Sequence, residues 1–518
     1  MRKKLIILLT GILMITTNIA GASIINKNIS NAKITINTNG DIDPLIDITV
    51  TVEILAIRSL EKEDTQIPFE EIIDQNSDPD FYVKVFINDH ESISSIWSNT
   101  KYIYNPQFTT TVNVPDDQEI VNIKIQLWDS KDEGASEDRL CDISGDANKG
   151  GKPKFSILTN LLKDSKLNKI IEAKSDDDDG YDVELEYNIK TGTWNGDDSR
   201  GDISGYGRLN GCDDGSVFKQ QRDCELWFNI YQNDYDNDGI PYWEEVNTFG
   251  SNPQSEDSGD PDNDQIPVEW EWKWGYNPFV AENHEELDPE GDSINNLEEY
   301  MTSEWYSDPY RKDVFVEMDM VGDGPNGEKT YFPENSAELI QTAFNRRNIM
   351  FHLDQGQMGG FDIVPFVDEP GRTKLWQIYN DYFLHGDIHN WRRGVFHYGL
   401  VLYSADGPAG YMFRSNGFII ASRGHEKLSQ EPNLERDIVY GSAYMHELGH
   451  TFNFWPIPGH NQQSKFPYQI GWWINRPYKS CMNYGYMYYM VDYSDGSRQS
   501  PDIDDWARID FASFEREW

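Results

Sequence analysis

The chain is poor in cysteine, in basic residues and in long apolar runs. Four cysteines in 518 residues are too few for a disulfide-stapled scaffold, so the fold must rest on buried apolar surface. Lys and Arg number 44 against 89 Asp and Glu, a formal net charge of −45. That deficit excludes nucleic acid as a partner, because phosphates are held by excess cations. It also excludes free attachment to an anionic bilayer unless divalent cations bridge the two. Beyond Ala22 no segment is apolar over the roughly 20 residues that a spanning helix needs. What is present suffices for a core: 38% hydrophobic and 13% aromatic residues, which excludes wholesale disorder. The length predicts about three domains.

Met1-Arg2-Lys3-Lys4 precede an apolar run from Leu5 to Ile19 and then Ala20-Gly21-Ala22. A charged stretch, a short apolar stretch and small residues in that order predict a signal peptide over 1–22 and a secreted, extracellular protein. Export would place the chain where calcium is abundant and disulfides persist. Cys212 and Cys224 are close enough in sequence to close a small loop and are the expected bridge. Cys141 and Cys481 are open to pairing or to remaining buried and free.

Between 44 and 190, β-branched alternating stretches recur at Ile46–Arg58, Phe81–Asn88, Phe108–Val114, Ile120–Trp128 and Tyr181–Ile189. Polar loops separate them, which predicts an all-β sandwich. Two loops gather carboxylates, one at Asp74, Asp78 and Asp80, the other at Asp129, Asp132 and Asp138. With Asp80 opening a Phe-Tyr-Val-Lys-Val strand, Asn105-Pro106 in mid-segment and Trp128-Asp129 at a loop, the segment resembles a C2 domain. The resemblance implies Asp74, Asp80, Asp129 and Asp138 as calcium ligands, with calcium-mediated contact to a cell surface or lipid. Lys131 stands where the family's second Asp of that loop is expected. Residues 191–230 read as a linker.

The negative charge is concentrated: residues 212–309 hold 26 Asp and Glu against 3 Lys and Arg. Ordered chain tolerates such repulsion most easily when cations neutralise it. A repeat over 231–309 explains the concentration. Asp234, Asp236, Asp238, Ile240 and Glu245 recur as Asp260, Asp262, Asp264, Ile266 and Glu271, then as Asp288, Glu290, Asp292, Ile294 and Glu299. Carboxylates fall at loop positions 1, 3, 5 and 12, with an apolar residue at 7 whose carbonyl can coordinate. That is the arithmetic of a calcium loop. Gly239 fills position 6, where the chain turns sharply, but Gln265 and Ser293 fill it in the later copies and predict sterically tighter sites. With Ile-Pro after the first two loops, and Asn-Pro or Asp-Pro between loops, the array resembles thrombospondin type 3 repeats. The resemblance implies a calcium-stiffened stalk with little core of its own, holding the sandwich away from the C-terminal third of the chain. Trp243, Trp270, Trp272 and Trp274 read as packing residues.

From 310 to 518 strands and helices alternate, predicting a mixed α/β (α+β) domain. Its chemistry sits at His446-Glu447-Leu448-Gly449-His450. On a helix the two histidines share a face one turn apart and can hold one Zn²⁺, with Glu447 beside them as general base for a zinc-activated water. Asn453 follows, a residue able to take the left-handed conformation that ends a helix. Ser480-Cys481-Met482-Asn483-Tyr484 completes a pattern that resembles the metzincin proteases. The resemblance implies Met482 as an apolar floor and Tyr484 as a support for the transition state. Its third-ligand position is Pro456, which cannot bind metal, so His460 is the substitute expected on a loop four residues longer.

The overall expectation is a secreted multidomain zinc endopeptidase acting on a protein or peptide substrate and stabilised by calcium. The competing expectation is a calcium-dependent cell-surface adhesion or binding protein with a catalytically silent metzincin-like domain.

Overall fold

The computed structural model describes residues 48–61, 78–115, 117–130, 138–145, 183–198, 207–214, 222–257, 259–405 and 409–515. The predicted signal peptide (1–22) and Asp74 lie outside them. No helix among the described residues is long and apolar enough to cross a membrane.

Two antiparallel sheets are built from β1 (Thr49–Ser59), β2 (Phe81–Ile87), β3 (His90–Ile93), β4 (Tyr102–Asn113) and β5 (Ile120–Asp129). They are completed by β6 (Arg139–Leu140), β7 (Val183–Asn188), β8 (Thr193–Gly196), β9 (Gly207–Asn210) and β10 (Cys224–Gln232). One sheet runs β4-β1-β10-β9 and the other β3-β2-β5-β7-β8, with β6 paired to β5. β5 and β7 alternate between buried and more exposed positions, as a strand with one face on a core must. The segment 191–230, expected as a linker, therefore supplies strands. β10 lies beside β1 along most of its length, and its Leu226, Phe228 and Ile230 are buried.

All four cysteines are unbridged and buried. The expected Cys212–Cys224 bridge does not form, because β10 carries Cys224 toward Cys141, whose side chain it meets. Cys212 Sγ instead lies 3.5 Å from Asp223 Oδ2, to which it donates.

The C-terminal part is one mixed sheet with helices on both faces. Its elements are β11 (Lys312–Val321), α1 (Glu334–Asn345), β12 (Ile349–Asp354), β13 (Ile363–Val364), α2 (Arg372–Ile378), β14 (Phe396–Leu402), β15 (Gly410–Arg414), β16 (Gly417–Ala421) and α3 (Arg436–Thr451). The order is β12-β11-β14-β16-β15, with β13 paired to β11. β15 alone runs antiparallel to its neighbour and forms an edge. β12 and β14 are buried at every position, as strands covered on both faces are. α1 and α3 share a core with Val314, Val316, Phe351, Phe418, Met482 and Tyr493, whereas Leu375, Ile378, Phe396 and Tyr398 line the other face. Each fully buried side chain of this kind contributes about 1.5–3 kcal/mol, and this packing holds α3 in place.

The expected separation of the sandwich from the C-terminal domain is overturned. α1 packs directly on the sheet containing β1, β9 and β10. Arg58 Nη1 lies 2.9 Å from Glu338 Oε2 and donates to Thr342 Oγ1 at 3.0 Å. Asn345 Nδ2 donates to Glu225 Oε2 at 2.6 Å, and Asn210 Nδ2 to the Asn345 carbonyl at 2.7 Å. Trp270 and Trp274 of the repeats join Ala56, Trp227 and Met350 in one apolar cluster. Complementary buried polar groups and these tryptophans outweigh any tendency of an acidic connector to extend. Arg58→Met is expected to destabilise the chain by about 1.5–3 kcal/mol, the range for hydrogen bonds to charged groups, read by denaturant unfolding.

Candidate metal centre and cation loops

α3 ends where Asn453 takes φ 63, the left-handed conformation expected from its short polar side chain. The chain then returns through Gly459, also left-handed at φ 73. A Cβ there would lie 2.2 Å from Asn483 Oδ1, so only glycine lets the loop pass. The next residue, His460, reaches the pair on α3. Its Nε2 is 3.2 Å from His446 Nε2, and one ligand atom from each of His446, His450 and His460 lies within 4.8 Å of the others.

The rings are positioned from behind. His446 Nδ1 donates to the Cys481 carbonyl at 2.8 Å, which fixes the tautomer with the Nε2 lone pair free. Trp455 stacks on His450 at 5.4 Å between centroids, and the Tyr484 ring lies 4.4 Å from that of His460. Met482 is fully buried beneath the helix, close enough that a Cβ on Gly449 would meet its Sδ at 2.6 Å. Burial lowers all three imidazole pKa values, His450 to about 3, with repulsion from the neighbouring imidazoles adding to the lowering at His446. The rings are therefore neutral donors, as Zn²⁺ requires.

Glu447 is buried, and that burial pushes its carboxyl up to about 8. Its Oε1 lies where a Cβ on Gly410, at the start of edge strand β15, would stand 2.5 Å away. Together with His446, Tyr484, Tyr488 and Lys465 it lines a cavity of about 250 Å³. Gly410, Lys465 and Tyr488 were not legible as site residues, since no motif marks them and only the sheet edge brings them there.

In each of the three loops the position-1 Asp accepts from the backbone N–H at position 6. Asp234 takes Gly239 at 2.8 Å, Asp260 takes Gln265 at 2.9 Å and Asp288 takes Ser293 at 3.1 Å. The position-5 Asp accepts from the N–H of the following isoleucine, at 2.9 Å, 3.2 Å and 2.9 Å in turn. Gln265 and Ser293 adopt the glycine conformation at φ 86 and φ 74, so the later loops keep the geometry and carry backbone strain instead of a different shape. Gln265→Gly is expected to stabilise the second loop by about 1 kcal/mol, since the left-handed region costs L-residues about that much, read as slower proteolysis of the loop at fixed calcium.

The position-3 and position-12 carboxylates have no hydrogen-bond partner for both oxygens of Asp236, Asp262, Glu271, Glu290 and Glu299 and for one oxygen of Glu245, although these atoms are buried. Burial pushes Glu245 up to about 8, Glu271 to about 7 and Glu290 to about 10. Buried carboxyl oxygens without donors are held either by a proton or by a cation, and this donor set of oxygens fits Ca²⁺. Asp257, which sequence reasoning missed, adds a carboxylate to Asp238 and Glu245.

The carboxylates of the sandwich are engaged differently. Asp129 is ion-paired with Arg222 and also accepts from the Asp80 N–H at 3.0 Å. Asp80 accepts from the Asn99 N–H at 2.6 Å, and Asp138 from the Tyr82 hydroxyl at 2.9 Å.

No protein-family model matches the chain, and no curated protein does. A solved C2 domain aligns over 35% of this chain and 97% of its own, at 9% identity and a TM-score of 0.17. Human GIVD cytosolic phospholipase A2 aligns over 36% of this chain and 16% of its own, at 12% identity and a TM-score of 0.17. The calcium-bound tandem C2 domains of Extended-Synaptotagmin 2 align over 36% of this chain and 45% of theirs, at 9% identity and a TM-score of 0.16. The chain thus spans under half of the phospholipase and of the synaptotagmin pair, and likeness at these scores carries no argument about what this chain binds or does.

Proposed function

We propose that the chain is an exported zinc-dependent endopeptidase whose 231–309 segment is ordered by calcium. The observation that carries this reading is the convergence of three neutral imidazoles, one of which, His446, shares a cavity with the buried carboxyl of Glu447. Bound Zn²⁺ would supply Lewis acidity and lower the pKa of a water toward neutrality. His446, His450 and His460 would hold it, His446 kept in its tautomer by the Cys481 carbonyl.

Glu447 takes a proton from the attacking water at its carboxylate and returns it to the leaving amine, as a positioned general acid–base does. The Tyr484 hydroxyl donates to the oxyanion that develops on the substrate carbonyl. β15 is an edge whose first residue, Gly410, touches Glu447. An extended peptide laid along that edge would pair with its backbone and bring a peptide bond to the carboxylate.

Calcium belongs to the three loops. In the sandwich, a calcium bridge to lipid or cell surface would require Arg222 to release Asp129, so the loops are the better-supported sites. Metal analysis tests the reading. The purified chain is expected to retain one zinc, and His460→Gln to lower zinc affinity and peptide hydrolysis together by at least about tenfold. Calcium without zinc would favour the binding-protein alternative.

A further inference from the structure

We propose that the middle loop of the array differs in chemistry from its neighbours: it is a nitrogen-containing site for a borderline divalent cation of the Zn²⁺ class, with His284 as the imidazole ligand. This rests on the reading of the three loops as cation sites. His284 is 1% exposed. Its Nε2 lies 3.1 Å from Asp264 Oδ2 and 3.7 Å from Glu271 Oε1 but has no hydrogen-bond partner. Ligand atoms of His284, Asp264 and Glu271 lie within 4.8 Å of one another. Ligands on a tetrahedral Zn²⁺ at about 2.0–2.2 Å stand about 3.3–3.6 Å apart, which the two observed separations bracket.

The ring is held for this task. It makes edge contacts with Trp270 at 6.0 Å and Tyr276 at 5.1 Å. Its Nδ1 is 3.1 Å from Asn296 Nδ2, while Asn296 Oδ1 has no partner. Rotating that amide by half a turn lets Oδ1 accept from Nδ1–H and leaves the Nε2 lone pair facing the carboxylates. A lone pair and anionic oxygens at that distance repel unless a proton or a metal cation lies between them, and titration with metal distinguishes the two.

Its neighbour is built otherwise. The backbone N–H that clamps Asp238 belongs to Asp257, which brings a further carboxylate to the first loop. The N–H that clamps Asp264 belongs to Glu282, and His284 follows two residues on. Imidazole suits Zn²⁺, Co²⁺ and Ni²⁺, whereas Ca²⁺ takes oxygen.

The test uses the full chain carrying His446→Gln, His450→Gln and His460→Gln, so that the C-terminal centre holds no metal. Stripped and titrated with Co²⁺, it is expected to bind one ion held against about 100-fold excess Ca²⁺. X-ray absorption should show imidazole and carboxylate on that ion. Adding His284→Gln should weaken Co²⁺ binding by about 10–100-fold while Ca²⁺ uptake by the first and third loops persists. Three bound Ca²⁺ with no Co²⁺ retained in the parent, or Co²⁺ bound equally after His284→Gln, overturns this inference alone. A chain that takes up no Ca²⁺ overturns the loop reading beneath it. Should His284→Gln fail to fold, the imidazole signature of the parent, unsubstituted in the loop, decides.

Discussion

Glu447→Gln is expected to lower peptide hydrolysis by about 10²–10⁴-fold, the range for a positioned general base, with zinc content unchanged. Gln keeps the volume and the contact with Gly410, so the loss isolates proton transfer. Stability separates the outcomes. In the metal-free chain the Glu447 carboxyl titrates at about 8, above its unfolded value near 4.3. Its contribution to stability is therefore fully present below about pH 4.3 and lost as pH rises through 8. The neutral Gln variant should unfold no more easily than the parent above pH 8. Hydrolysis at the parental rate by this variant would sink the enzymatic reading.

Calcium withdrawal is the second large effect. At calcium about 100-fold above its dissociation constant, each filled loop is stabilised by about 2.7 kcal/mol, so opening that releases the ion is about 100-fold rarer. EGTA should therefore speed limited proteolysis within 231–309 far more than within 310–518. The pH dependence should also change sign. Without calcium, Glu245, Glu271 and Glu290 are held at about 8, 7 and 10 by burial. Raised carboxyl values make the calcium-free loops most stable below the unfolded pKa and loosest as pH climbs through the folded values. With calcium bound the same oxygens must be ionised, so protection should be lost as pH falls instead. Equal cutting at all pH values, with and without calcium, would count against cation sites in these loops.

Much of the candidate site was legible because its parts lie close along the chain. His446 and His450 are one helical turn apart, and each loop spends its ligands within twelve positions. Such spacings translate directly into geometry, since local backbone conformation alone decides where the side chains meet. Gln265 and Ser293 marked the limit of that reasoning: their side chains suggested tighter sites, yet hydrogen bonds to Asp260 and Asp288 impose the left-handed turn on them.

Residues 191–230 looked like a linker because β9 and β10 are short of a repeating pattern that could announce them. β10 is a strand because β1 offers it a ladder, a partner well over a hundred residues away. For the same reason the acidic segment did not become a stalk: Trp270 and Trp274 found Ala56, Trp227 and Met350, and Arg58 found Glu338. By itself the sequence determined which residues are candidates for metal chemistry and where the negative charge is concentrated. Tertiary structure decided that Arg222 neutralises Asp129, that Gly410 presses on Glu447, and that His284 enters the middle loop. Contacts of that range depend on how whole layers pack, and no spacing along one strand or helix encodes them.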